Sequence, residues 1–370
     1  MDKHESFNIQ QLMQIKVDDE RLERLRDVVI FDSEEELSQE VKDYLLRQQV
    51  RFVNIQYARF LAGIHFTLKD VDELMEGAID IHCHGGSEPF ERIALEDDTV
   101  KDAAKAKMRA LVFKTWYTPS ASRNALLQKW IDEWCEANEL TAPQIYGGIT
   151  LNLSQGGLNA NAVERCLNFP NYKYVWLPMV DSYHHRKLVY DDRSGSGIHL
   201  LDGNGRVLPE LYDIFKVVAE HDLVLASGHY PYAETSLVFE AAKKAGVKHL
   251  EVVHPAHIHS KTTIAQMKEY ASENVMLMLS GLGTLCFPLH ETGPIYAARM
   301  IQEVGADHFV YGSDFGQIHN PPHIVGHRWM IQMLLAYGVS KEEITKIFKT
   351  NPARHIGLEY AAISCATKAV

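Results

Sequence analysis

Two histidines one residue apart, His82 and His84, close the run Ile79-Asp80-Ile81-His82-Cys83-His84-Gly85-Gly86. In an extended strand alternate side chains share a face, so the two imidazoles project together while Cys83 points the other way, toward covering helices. Neutral imidazole is the commonest protein ligand for metals, and a pair of them at a strand's end is half of a metal site. A His-x-His alone is a weak signal. Its meaning depends on where the other histidines fall, and the chain has 19 of them, clustered in short tracts after apolar runs.

The elements that would position such tracts can be read from the hydrophobic pattern. From residue 78 onward, short apolar runs at 78–83, 109–114, 145–151, 173–180, 222–227, 248–253, 274–279 and 307–311 alternate with helical patterns. The runs are nearly continuous in hydrophobicity, as parallel strands buried on both faces require. Helices are predicted at 121–138, 209–221, 232–245, 264–271, 294–304 and 324–337, with Gly246 and Gly338 placed to end two of them. Ser340 with Glu343 makes a capping box, and Asn351-Pro352 reads as an N-cap followed by proline. Eight strands alternating with helices predict an α/β protein, a (β/α)8 TIM barrel with an N-terminal helical extension. A doubly wound sheet competes less well, because no G-x-G-x-x-G follows the first strand. The expected division is a helical extension at 1–77, opened by a capping box at 33–36, then a barrel at 78–358 and a C-terminal tail at 359–370.

In a barrel, side chains at the C-terminal strand ends converge on one site. Strand one ends in His82 and His84, strand two in Lys114 before Trp116 and Tyr117, and strand three near Asn152. Tyr183, His184, His185 and Arg186 follow strand four and open a long, glycine-rich stretch suited to a lid. His229 follows strand five, His254 and His257 follow strand six, and Asp314 follows strand eight. Several imidazoles at equivalent strand ends are hard to explain as core packing, since burying them unpaired is costly. Trp116, Tyr117, His184, His185, Arg186 and His257 are the candidates for substrate contact. His319 and His323 lie on the same rim.

The set resembles the amidohydrolase superfamily of metal-dependent barrels: His82-x-His84, then His229, His254 and Asp314 within Gly312-Ser313-Asp314-Phe315, and a closing Asn351-Pro352-Ala353-Arg354-His355-Ile356-Gly357-Leu358. The likeness spans 78–358. The stretch 111–119 is also similar to an uncharacterised amidohydrolase-like family. The resemblance implies one or two divalent metals per chain, zinc foremost with manganese, iron or cobalt open. His82, His84, His229 and Asp314 would hold the first, and Lys114 with His254 the second. Asp314 would take a proton from metal-activated water and pass it to the leaving group. One departure is plain. The superfamily's bridging lysine or glutamate sits after strand four, where this chain has Val180-Asp181. Lys114, after strand two, is the replacement: a desolvated lysine loses its proton readily and its amine can add CO2 to form a bridging carbamate. Alternatively it stays cationic and binds a substrate carboxylate or pairs with Asp181. The first functional reading is hydrolysis of an amide, lactam, lactone or related bond. The alternative is metal-dependent decarboxylation of an aromatic or unsaturated carboxylic acid, with one metal and a free lysine. A phosphoesterase would need more carboxylate ligands, and a retired scaffold would not need the histidines.

Composition limits the partners. Acidic residues outnumber basic ones 49 to 37, for a net charge of −12, with no dense basic run, which argues against nucleic acid and anionic membranes. Five scattered cysteines fit reduced thiols in the cytoplasm, and no apolar run approaches a membrane span. A small-molecule substrate and a homo-oligomer are expected.

Overall fold

A computed structural model of the chain describes residues 46–47, 65–86, 88–286 and 293–358. Most of the expected extension, with its capping box at 33–36, and all of the expected tail at 359–370 lie outside these residues. Within them the barrel is present. Strands β1 (Ile79–Cys83), β2 (Ala110–Phe113), β3 (Gln144–Thr150), β4 (Tyr172–Trp176), β5 (Val224–Ala226), β6 (His249–Val252), β7 (Met276–Ser280) and β8 (Phe309–Gly312) form one sheet in chain order. Each neighbouring pair from β1 to β8 is parallel. The ends meet just past the strands, where Asp314 N–H donates to His82 O (2.7 Å) and His84 N–H to Phe315 O (2.9 Å).

The helices follow from amphipathic spacing and local caps. α1 (Leu68–Met75) starts on a Thr67–Asp70 capping box and buries Val71, Leu74 and Met75. α2 (Glu96–Lys105) opens with Glu96, Asp97 and Asp98, which suit the positive end of a helix. α3 (Asn124–Ala137), α4 (Ala160–Cys166) and α5 (Tyr183–Val189) follow β2, β3 and β4. α6 (Pro209–Glu220) buries Leu211, Ile214, Phe215 and Val218, a stripe of helical period. Then come α7 (Tyr232–Lys244), α8 (Ile264–Ser272), α9 (Gly281–Leu285), α10 (Pro294–Val304) and α11 (His323–Ala336). Gly246 and Gly338 do follow α7 and α11 in left-handed conformations. Two cores result. Between sheet and helices lie residues such as Cys83, Leu111, Phe215 and Ile331, and inside the barrel Ile79, Ile81, Val112, Tyr174, Trp176, Val224 and Val310.

One cap is corrected. α12 (Lys341–Thr345) runs through a π-helical turn (Lys346–Thr350) into α13 (Asn351–His355), so Asn351 lies inside a helical run and does not cap it. Its amide donates instead to Ala306 O and Phe309 O, both at 2.8 Å, tying α13 to the start of β8. The wider π turn precedes Pro352, whose ring would otherwise press on the carbonyl one turn back and which has no N–H to give. No helix among the described residues is long and apolar enough to cross a membrane. Cys83, Cys135, Cys166 and Cys286 carry free thiols.

Candidate metal centre

The first strand solves a phase problem. Ile79 and Ile81 face the barrel interior, and so do His82 and its partner His84, while Cys83 packs outward and donates to Val112 O (3.4 Å). Strict alternation cannot place both sets inside. The register of β1 on β2 slips between Asp80 and Cys83, and this extra residue turns the histidines inward. Asp80 holds the slip: its buried Oδ1 accepts from His82 N–H (3.1 Å) and Ser313 N–H (2.9 Å). Burial pushes that carboxyl up to about 7.

His82 is fully buried, its ring 6.0 Å from Trp176 below and 5.4 Å from His84 beside it. Asp314, in a left-handed conformation at φ 55°, brings Oδ1 to 3.1 Å from His84 Nε2 and 3.5 Å from His82 Nε2. A non-glycine residue held there marks a position fixed by its surroundings. The three side chains offer ligand atoms within 4.8 Å of one another. Burial, and then the charge of Lys114, hold His82 well below the usual imidazole range; burial and Arg92 do the same for His84. Both rings are therefore neutral at pH 7, with lone pairs available. Neither nitrogen of His82 has a hydrogen-bond partner, a costly arrangement for a buried ring unless an ion completes it.

Glycines let the chain close around this group. A Cβ on Gly312 would meet His82 Cβ at 2.7 Å, and one on Gly316 (φ 137°) would meet His84 O at 2.4 Å. Gly316→Ala should therefore displace His84, destabilising the fold by about 1–3 kcal/mol and weakening metal binding. Thermal denaturation and metal titration check this; an unchanged midpoint and affinity would refute it.

Lys114 is 2 % exposed, and burial pushes its amine down to about 8 against the pull of Asp314. Its charge lowers the basicity of His82 and His84, and also that of His185, His229, His254 and His259. His229, expected with His82 and His84, lies against a second group of rings, while His254, expected with Lys114, feels the charges of both Lys114 and Asp314. His229 has His185 and His259 against it, and His254, at φ 33°, lies 5.1 Å ring to ring from both His229 and His257.

The other expected contacts divide. Trp116 lies 5.9 Å from His84 and, with Phe90, builds an apolar wall that continues to Tyr117. His184 is half-buried beside Tyr183. Arg186 is not brought to the rings; it pairs with Asp192 at 3.1 Å. That pair helps fold the stretch after α5 back on itself, with His199 stacked on Tyr183 (4.2 Å). His323 is buried beside Thr99.

Two residues went unread in the sequence. Arg92 and Glu88 form a buried ion pair, and Arg92 reaches to 3.2 Å from His84 Nδ1. The loop holding them pairs Arg92 with Gln317, past β8, and Glu88 accepts from Trp116 N–H. Only Glu88-x-x-x-Arg92, an i,i+4 pair after the glycines, could have drawn attention to them.

The sequence model of DUF6282, described as a family of unknown function, matches residues 77–278, which hold both histidine groups and Lys114 but not Asp314. No curated protein matches. Among solved structures, an amidohydrolase from Pseudomonas aeruginosa is similar at TM-score 0.54 and 12% identity, over 79% of this chain and 98% of that one. A lactonase from Listeria monocytogenes is similar at TM-score 0.52 and 14% identity, over 77% and 96%. At such identities the likeness is one of fold, a (β/α)8 barrel.

Proposed function

The chain belongs to DUF6282, a family of unknown function, and from its site we propose a metal-dependent hydrolase of small molecules, with an amide, lactam, lactone or related C–N or C–O bond as the target. The observation that carries this is the convergence of His82, His84 and Asp314 at the C-terminal mouth of the barrel, with neither nitrogen of a fully buried His82 hydrogen-bonded. That two barrels of the same fold are named an amidohydrolase and a lactonase supports the choice of bond.

His82, His84 and Asp314 would hold the ion, and two imidazoles with one carboxylate suit zinc first, then manganese, iron or cobalt. A divalent cation there would supply Lewis acidity, lowering the pKa of water and polarising a carbonyl. The protein does the rest. Arg92 can only donate, so in this arrangement His84 Nδ1 accepts and its Nε2 carries the proton given to Asp314. To become a ligand through Nε2, His84 would have to take the other tautomer, its proton moving to Nδ1 with no net release, and Arg92, already paired with Glu88, would have to leave Nδ1. Asp314, 13% exposed at its side chain, would take a proton from the attacking water and return it to the leaving group. Trp116 and Phe90 exclude water on one side and offer an apolar wall to the substrate. Lys114 is the candidate for carboxylation, which native mass spectrometry would detect as the added mass of one CO2.

The test is a panel of chromogenic amides, lactones and esters with zinc-, manganese- or cobalt-loaded protein. At least one should be turned over by the wild type and not by Asp314→Asn. CO2 release from aromatic acids with no hydrolysis in the panel would establish the decarboxylase instead.

A further inference from the structure

Four aromatic side chains stand on the loops of the barrel mouth. Phe90 follows β1, Trp116 and Tyr117 follow β2, and Tyr190 ends α5, after β4. Trp116 lies 5.9 Å ring to ring from His84. Phe90 lies 5.8 Å from Trp116 and 5.9 Å from Tyr117, and Tyr190 lies 5.2 Å from His185. Phe90 is 39% exposed and Tyr190 59%, so apolar surface stays open beside the metal centre, where an exposed cluster marks a ligand groove.

The loop carrying the central pair is pinned. Glu88 accepts from Trp116 N–H, and Asn152 Nδ2 donates to Trp116 O (3.0 Å). Thr150 Oγ1 and Gln155 Nε2 donate to Thr115 O, at 2.8 and 3.2 Å. Arg92 stiffens the rings further, its guanidinium 4.6 Å from the Phe90 centroid and 5.6 Å from that of Trp116. A surface fixed in advance loses little freedom when a ligand settles on it.

The charges nearby tell against an anion. Arg92 is paired with Glu88, with 1% of its side chain exposed, and Arg186 is paired with Asp192. Burial, then Tyr190, Asp181 and Glu88, push the Tyr117 phenol up, so it is neutral at pH 7. Phe90 meets Tyr117 at 79° and Trp116 at 55°, the edge-on and tilted geometries that aromatic rings favour and that a further ring can extend.

We propose that these rings seat an uncharged aryl group of the substrate, so that the molecule turned over is an aryl-bearing amide, lactone or ester. The bond named here rests on the hydrolase reading; the aryl group rests on the rings alone.

Binding and turnover test the two separately. In NMR titrations of zinc-loaded full-length protein, phenylacetamide should bind roughly 3- to 10-fold tighter than cyclohexylacetamide, which has a similar apolar area and no ring quadrupole. It should also bind tighter than 4-carboxyphenylacetamide, whose ring carries a charge. Tyr117→Ala and Tyr190→Ala should each narrow the first preference to less than about 2-fold. The wild-type comparison needs no variant to fold. Equal binding of the three probes by the wild type, or an aryl preference unchanged in both folded variants, overturns the proposal. Ethyl phenylacetate then tests the hydrolase reading: no turnover of it or of the amide, beside a retained aryl preference in binding, would sink that reading and leave the aryl site standing.

Discussion

His82→Ala is expected to remove the metal held at the barrel mouth and all turnover with it. Outer partners of metal ligands typically cost 10- to 100-fold in affinity or activity when removed, so loss of a ligand at the centre should exceed roughly 100-fold. Two features make His82 the more decisive of the pair. Its ring is fully buried against Trp176, so no water can readily take its place. Its backbone is also part of the closure, since His82 O accepts from Asp314 N–H, and alanine leaves that bond intact. The variant should therefore keep the fold and lose the ion. Circular dichroism, metal content and turnover measured together test this, and a folded variant with undiminished turnover would refute the site.

Much of the barrel was legible because parallel strands covered on both faces must be apolar throughout, and each of the eight runs became a strand. The strand ends then followed from topology: His82, His84, Lys114, His229, His254 and Asp314 all sit at the mouth. What could not be read was how those ends pair. Whether His229 faces His82 or His185 depends on how the loops after β4 and β6 fold, and that rests on Ser182 bridging two backbones and on the turn carrying His259. Period-two reasoning placed His82 and His84 on one face correctly. It could not show that Ile79 and Ile81 share the interior with them, because that needs the register slip held by Asp80. Arg92 escaped notice since its role comes from a loop pairing across the barrel's seam, through Gln317, some 225 residues away in sequence. Asn351-Pro352 misled because a cap signature and a proline inside a continuing helix look alike until the π turn before them is seen.

Lys114→Met should stabilise the metal-free protein at pH 7 while removing its function. Burial lowers this amine from its usual 10.5 to about 8. Between those values the unfolded chain holds a proton that the folded chain does not, so stability rises with pH across that window. Below pH 8 both states are protonated and the cost of the buried ammonium is present in full. At 1.36 kcal/mol per pH unit the cost is about 3 kcal/mol, and methionine, of similar length and without charge, would relieve it. The variant's advantage should thus be about 3 kcal/mol at pH 7, shrink from pH 8 upward and vanish near 10.5. Denaturant unfolding at a series of pH values measures it. A wild type as stable as the variant at pH 7 would mean that Lys114 is not carried as a bare buried cation. Carboxylation would produce that result, because a carbamate replaces the ammonium with a ligand-type anion, and native mass spectrometry distinguishes this from an ammonium stabilised by its neighbours. In either case the lysine is a poor choice for packing, enclosed at the end of an apolar strand where its charge lowers the basicity of six histidines. We propose that a lysine kept there at a cost in stability serves the chemistry of the barrel and not its architecture.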